Sequence, residues 1–309
     1  MTRNARITAL VCVVLCFATV ACAKSKTTVT GSSPTPTPIP TATIGACVNQ
    51  AGSQAPTAPT GADFKPKLKE AGVLNVGSDN DYPPFESIQP GKKDPEGFDV
   101  DIYKEVAKRL GVTAKSTTTS FDGLFTQSIP RHQFDIGVSA ITIKESRKNT
   151  VDFTVPYFQA NLSLAVNVAK TPNVKSIDDL AGLTIGVQTG TTGADCAKAL
   201  VAQGKGKDVK EYDNTGPAFD DLVAGRIGAV VNDQPASEGF IEQNRPTVDV
   251  VQVLETNEKY GFAVAKDRPD LRKAISDALV AMMNDGTYAK IYKVWFKTDV
   301  PFTVPIATE

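Results

Sequence analysis

Four polar clusters in this 309-residue chain carry side chains able to recognise a small charged molecule. The first, Asp79-Asn80-Asp81-Tyr82-Pro83-Pro84-Phe85-Glu86, sets acids beside an aromatic ring, or forms a rigid aromatic turn. The second, Ser139-Ala140-Ile141-Thr142-Ile143-Lys144-Glu145-Ser146-Arg147, ends on a guanidinium. Arginine offers a planar fork that holds a carboxylate through two parallel hydrogen bonds, which lysine cannot do. The alternative for Arg147 is a surface ion pair. The third, Gln188-Thr189-Gly190-Thr191-Thr192-Gly193, runs into a helix, where free N–H groups and the dipole favour an anion. The fourth is Asn232-Asp233, which ends an apolar run. Asp233 either faces a ligand or caps a helix ahead of Pro235.

These are binding groups rather than a catalytic set. The single histidine, His132, lies beside Pro130 and Arg131 in a turn, which leaves Ser-His-Asp chemistry and histidine zinc sites without support. No Cys-x-x-Cys or Gly-x-Gly-x-x-Gly occurs, and the turn at Gly190 lacks the Gly-Lys-Ser/Thr ending of a phosphate loop. No cofactor and no metal is expected. A net charge of -1 and the absence of a basic run give no reason to expect nucleic acid.

The elements that must position these clusters alternate between strand and helix from residue 64 onward. Val73–Gly77 reads as a strand. From Gly97 to Leu110, Phe98, Ile102, Val106 and Leu110 repeat at every fourth residue, which predicts a helix ending at Gly111. A Thr-rich strand near 114–119, a helix from Phe121 and a strand over 135–140 follow. A second series has strands at 183–187 and 227–231, a helix from Ala194, and C-terminal helices at 270–284 and 287–296. Alternation of this kind means an α/β fold with mostly parallel sheets. Every polar cluster follows a strand, and ligands in such folds bind at the carboxyl ends of strands.

The run Gly97-Phe98-Asp99-Val100-Asp101-Ile102, with Val106, Ala107 and Leu110, and the Asp79–Glu86 segment before it resemble the polar amino-acid family of extracellular solute-binding proteins. These are the binding components of ABC importers. The resemblance covers roughly residues 64–300 and implies a two-lobed, type II periplasmic-binding-protein fold. Two mostly parallel sheets flanked by helices would enclose a ligand cleft, with lobe 1 at 64–160 and 257–309 and lobe 2 at 161–256. The chain would cross between lobes near 160–164 and 253–257. By the same resemblance Arg147 holds an amino acid's α-carboxylate with Thr142, Thr191 and Thr192, and Asp233 pairs with the α-ammonium. Tyr82 and Phe121 form aromatic walls. Ser139 belongs to the same motif, and Ala140, where relatives often carry Ser or Gly, contributes backbone only. Asp79 and Gln188 meet the distal side chain, which favours amide or cationic ligands (glutamine, histidine, arginine, lysine) over glutamate. The implied partners are a permease and an ATPase subunit, and a monomer is the family habit. Two rival readings remain: a cyclohexadienyl dehydratase on the same fold, with Asp79 or Glu86 as general acid, and an extracytoplasmic sensor.

The first 22 residues are expected to leave the fold. Arg3 and Arg6 precede the apolar run Ile7–Ala21, and Val20-Ala21-Cys22-Ala23 resembles a lipoprotein signal that would lipidate Cys22 and hold the protein on the outer face of the membrane. Thr19 stands where that motif prefers Leu, and ordinary secretion is the alternative. Residues 23–63, rich in Ser, Thr and Pro, read as a disordered tether. Cys12 and Cys16 lie in the signal, so Cys47 and Cys196 remain as an even pair in an oxidising compartment: a disulfide, or two free thiols.

Overall fold

The computed structural model describes residues 38–45, 47, 67–243 and 246–306. The chain divides into Met1–Pro38 and Ile39–Glu309, and all the described strands and helices belong to the second unit. The signal segment, Cys22 and most of the expected tether lie outside the described residues.

In chain order the strands and helices begin with β1 (Thr41–Ala42), β2 (Val73–Ser78), β3 (Asp81–Tyr82), β4 (Glu86–Ser87) and α1 (Phe98–Arg109). Next come β5 (Thr113–Thr118), α2 (Phe121–Gly123), β6 (Ile136–Gly137), α3 (Glu145–Lys148), β7 (Val151–Phe153) and β8 (Phe158–Asn167). The second half holds β9 (Thr184–Gln188), α4 (Thr192–Ala202), β10 (Asp208–Tyr212), α5 (Thr215–Ala224), β11 (Ala229–Asp233) and α6 (Gln234–Glu242). It ends with β12 (Val248–Tyr260), β13 (Ala263–Ala265), α7 (Pro269–Asn284) and α8 (Thr287–Phe296).

Two sheets define two lobes. Lobe 1 is built on a five-stranded sheet in the order β5-β2-β6-β13-β7, and lobe 2 on a six-stranded sheet in the order β1-β12-β8-β11-β9-β10. The βα units give the parallel pairs: β2 with β5 and β6, β9 with β10 and β11. β8 and β12 run antiparallel to each other and carry the chain between lobes, and β13 is antiparallel to β6 and β7. The sheets are therefore mixed, because the strands that cross over and return cannot all keep one direction.

Helix α1 shows how sequence enforces position. Phe98, Ile102 and Val106 are fully buried on one face, Asp99 and Asp101 lie in the first turn, and Lys108 and Arg109 in the last, each complementing the dipole. Gly97 precedes it with φ 149, and a Cβ there would sit 2.0 Å from the carbonyl oxygen of Phe85. Only glycine lets the helix start press against that turn. The aromatic core behind α1 also reaches the crossing strands. Phe158 of β8 and Tyr260 of β12 stack at 5.4 Å, with Phe85 5.0 and 5.5 Å from them.

Three segments differ from the sequence expectation. The helix from Phe121 is a short α turn followed by a π turn over Leu124–Ser128, a local widening that apolar periodicity does not report. The strand expected over 135–140 pairs only at Ile136–Gly137; Ala140 has left it with φ 44. Within the expected tether, Thr41 and Ala42 pair in parallel with Val253 and Leu254, extending the lobe 2 sheet. Cys47 is bonded to Cys196 of α4, with Cα atoms 4.4 Å apart. Local composition predicts disorder here, while edge pairing and a covalent bond supply the ordering that composition lacks.

Candidate functional site

A narrow cavity lies between the lobes, and all eleven ligand-binding residues marked in the sequence line it. Lobe 1 contributes Asp79, Tyr82, Phe121, Ser139, Ala140, Thr142 and Arg147, and lobe 2 contributes Gln188, Thr191, Thr192 and Asp233. Most of these groups follow a strand or open a helix, so strand direction brings them to one end of the sheets.

Arg147, on the short helix α3, is buried rather than paired at the surface. Its Nη1 donates to the Thr142 carbonyl at 2.7 Å and its Nη2 to the Gly190 carbonyl of the opposite lobe at 3.0 Å. The guanidinium lies over the rings of Phe125 and Phe121, 4.6 and 5.1 Å from their centroids. Burial pulls its pKa down to about 10, which leaves it charged at neutral pH. Phe121 thus serves as a platform for the cation as well as a cavity wall.

Behind Arg147 a frame of buried acids holds the Ser139–Thr142 turn. The Ala140 N–H donates to Asp99 Oδ2 at 2.7 Å, and Tyr157 Oη donates to the same carboxylate. Ser139 Oγ donates to Glu86, and accepts from the Asp79 N–H at 3.2 Å. Burial pushes the carboxyls of Glu86 and Asp99 upward, and each adds to the other's environment. Ala140 lines the cavity, but its N–H is committed to Asp99, so the backbone group expected to face a ligand is already satisfied.

In lobe 2, Thr191 caps α4: its Oγ1 accepts from the Ala194 N–H at 3.0 Å and donates to the Gln188 carbonyl at 2.7 Å. Gly190 has φ 76, and a Cβ there would come 2.7 Å from Asp122 of lobe 1, so glycine permits the close approach of the lobes. Asp233 precedes α6 but makes no side-chain cap hydrogen bond. It accepts instead from Tyr260 Oη at 2.5 Å. Burial lifts its pKa to about 6, against the lowering effect of that hydrogen bond.

The far end is amide-rich. Asp79 accepts from Gln188 Nε2 at 2.7 Å and from Asn214 Nδ2 at 2.6 Å, both across the cleft. Burial raises its pKa to about 6, only partly offset by Gln188. Thr215 Oγ1 donates to Gln188 Oε1 at 2.9 Å, and Tyr82 Oη donates to Asn232 Oδ1 at 2.8 Å.

Sequence reading missed Asn214, Thr215, Tyr260 and Glu258, and marked Asn232 without giving it a role. Asn214 and Thr215 follow β10, and the rule that polar turns after strands converge would have marked them. Glu258 had no such signal; its Oε2 accepts from Thr142 at 2.5 Å and Thr192 at 2.9 Å. Among the described residues no group of three or more His, Cys, Asp or Glu could hold a metal, and no helix is long and apolar enough to cross a membrane.

The model of the bacterial extracellular solute-binding proteins, family 3, matches residues 74–298. The chain belongs to that family. The L-cystine-binding protein TcyJ of Escherichia coli K12 is 33% identical over 234 residues, covering 76% of this chain and 86% of the relative. The solved structure of an ancestral arginine-binding protein bound to arginine is 36% identical, with TM-score 0.69 over 73% of this chain and 98% of that one. An ancestral amino acid-binding protein described as a precursor of cyclohexadienyl dehydratase is 35% identical, with TM-score 0.66 over 73% of this chain and 96% of that one. This family 3 protein therefore has the two-lobed α/β fold of these neighbours, and its cavity occupies the cleft between the lobes.

Proposed function

We propose that this protein captures one amino acid as a zwitterion in the cleft and delivers it to an ABC importer. The observation that carries the reading is the pairing of charges at one end of the cavity: a buried, ionised Arg147 beside the acid Asp233, contributed by opposite lobes. A molecule with a carboxylate and an ammonium on one carbon satisfies both and favours the closed arrangement by its differential affinity. Asp79 with Gln188 and Asn214 suits an amide or cationic side chain. Lipid attachment at Cys22, a Pro-rich tether and a monomeric binder complete the proposal.

A thermal-shift panel of the amino acids, with cystine included, tests it. A ligand at about 1,000 times its Kd adds about 4 kcal/mol. One or a few polar amino acids should raise Tm clearly, and a flat panel overturns the reading. The one rival is a small dehydratase that uses Asp79, whose pKa burial raises to about 6, as its acid. Turnover of prephenate or arogenate without a binding shift for amino acids would support that rival.

A further inference from the structure

Glu258 sits directly behind two residues that line the cavity, Thr142 and Thr192, with only 1% of its surface exposed. One oxygen, Oε2, bridges the lobes by accepting from Thr142 Oγ1 and Thr192 Oγ1. The other, Oε1, is buried without a hydrogen-bond partner. Native structures rarely leave such an atom unsatisfied, and each one calls for an explanation.

A bulge at the crossing puts Glu258 there. The β12–β8 pairing passes from Leu254↔Leu162 to Glu258↔Ala160, so an advance of 258 − 254 = 4 residues faces one of 162 − 160 = 2. Asn257 takes φ 50 to absorb the difference, and Asn161 Oδ1 accepts from the Thr256 and Asn257 N–H groups at 3.0 Å. Bulges re-aim side chains next to functional sites. Beyond it, alternation sends Glu258 and Tyr260 to one face, where Tyr260 reaches Asp233. Main-chain bonds from Ile143 to Lys259 at 2.8 Å and from Gly261 to Ile141 at 3.0 Å bring Thr142 alongside.

Thr142 then links the cation to this carboxyl group: its carbonyl accepts from Arg147 and its hydroxyl donates to Glu258. An acceptor placed beside the carboxylate-binding cation is where the ammonium of the same ligand carbon must lie. An ammonium has three donors to place, and Asp233 already spends one oxygen on Tyr260.

We propose that Glu258 is a second acceptor for the ligand's α-ammonium, taking it on Oε1 while Oε2 holds the two lobes together. This rests on the amino-acid reading of the cleft. The groups facing Glu258 are Asp233, Arg147, Tyr82 and Tyr260. Burial, then the charge of Asp233, raises the Glu258 pKa to about 8, while Asp233 itself sits at about 6. Burial therefore keeps a proton on Glu258 up to a higher pH than on Asp233. Arrival of the ammonium favours the carboxylate, and that proton leaves to the buffer.

The test is calorimetry on the full chain with L-arginine and its deamino analogue, 5-guanidinopentanoic acid, and with any panel amino acid that binds more tightly. Glu258→Gln keeps an acceptor for the two threonines but turns an N–H towards the ammonium. It should weaken the amino acid at least about tenfold and change the deamino analogue less than about twofold. Titration of the unaltered protein at pH 7.5 in buffers of different ionisation enthalpy should show net proton release for the amino acid and none for the analogue. Unchanged amino-acid affinity in the variant, or equal loss for both ligands, overturns the assignment of Glu258 alone. So does the absence of proton release, which keeps the test open should the variant fail to fold. An unaltered protein that binds no amino acid overturns the cleft reading and this inference together.

Discussion

The two ends of the cavity solve different problems. At the head end, the Arg147 guanidinium and the carboxyl groups of Asp233 and Glu258 are buried and fixed by backbone carbonyls, a tyrosine and two threonines. At the far end, the carboxylate of Asp79 is met by two neutral amides of the opposite lobe, Gln188 at the end of β9 and Asn214 before α5. Fixed, desolvated charges give large energies to a ligand that matches them and penalise one that does not. Amides can donate or accept, so they tolerate exchange of partner. The difference teaches that affinity for the common part of an amino acid and choice among side chains can be set separately, on one pair of lobes.

The strongest challenge to that separation is Arg147→Ala. Binding should fall by about 2–5 kcal/mol for every ligand alike, because the truncation leaves a buried carboxylate unpaired. Calorimetry beside a melting curve reads it, and a loss confined to one ligand would break the division. Asp233→Asn should cost less, about 1.5–3 kcal/mol, as a charged hydrogen bond becomes neutral. Tyr260 keeps an oxygen to donate to, so the melting temperature should hold while affinity drops. Asp79→Asn should reorder the panel instead. Cationic ligands should lose about tenfold, the scale of one charge-assisted hydrogen bond, and neutral amides should hold their place. Equal loss across ligands would assign Asp79 to the head end.

The smallest effect is pH. With the Asp79 pKa raised to about 6, affinity for a cationic side chain should decline as pH drops below it and level off within the about tenfold loss expected for Asp79→Asn. The empty protein should show the opposite sign. Asp79, Asp233 and Glu258 all have folded pKa values above their ordinary 3.8–4.5. Their contribution to stability is complete below those ordinary values and is lost as pH rises through about 6 and then about 8. Asp221 and Asp285, with pKa values lowered by Lys210 and Thr287, act only at more acid pH. Tm of the ligand-free protein should thus fall from pH 5 to pH 8; a rise would show that these acids do not lie in a desolvated cleft.

What the sequence determined by itself is the framework and the neighbourhood of the site. The every-fourth-residue stripe of α1, the apolar strands and the polar turn after each are local properties, and strand direction sends those turns to one cleft. The resemblance added the roles assigned to Arg147, Asp233 and their neighbours, and those eleven positions all line the cavity. Tertiary structure alone decided which groups remain for a ligand. The Ala140 N–H goes to Asp99, 41 residues away, and Glu258 meets Thr142 across 116 residues through a bulge that no periodicity encodes. It also decided that Thr41–Ala42, preceded by Pro38 and Pro40, forms an edge strand, because its partner lies in β12 and its nearest covalent staple spans 149 residues. Propensity and pattern act over a few residues; the burial that raises these carboxyls and the hydrogen bonds that fix them are created by packing elements distant in sequence.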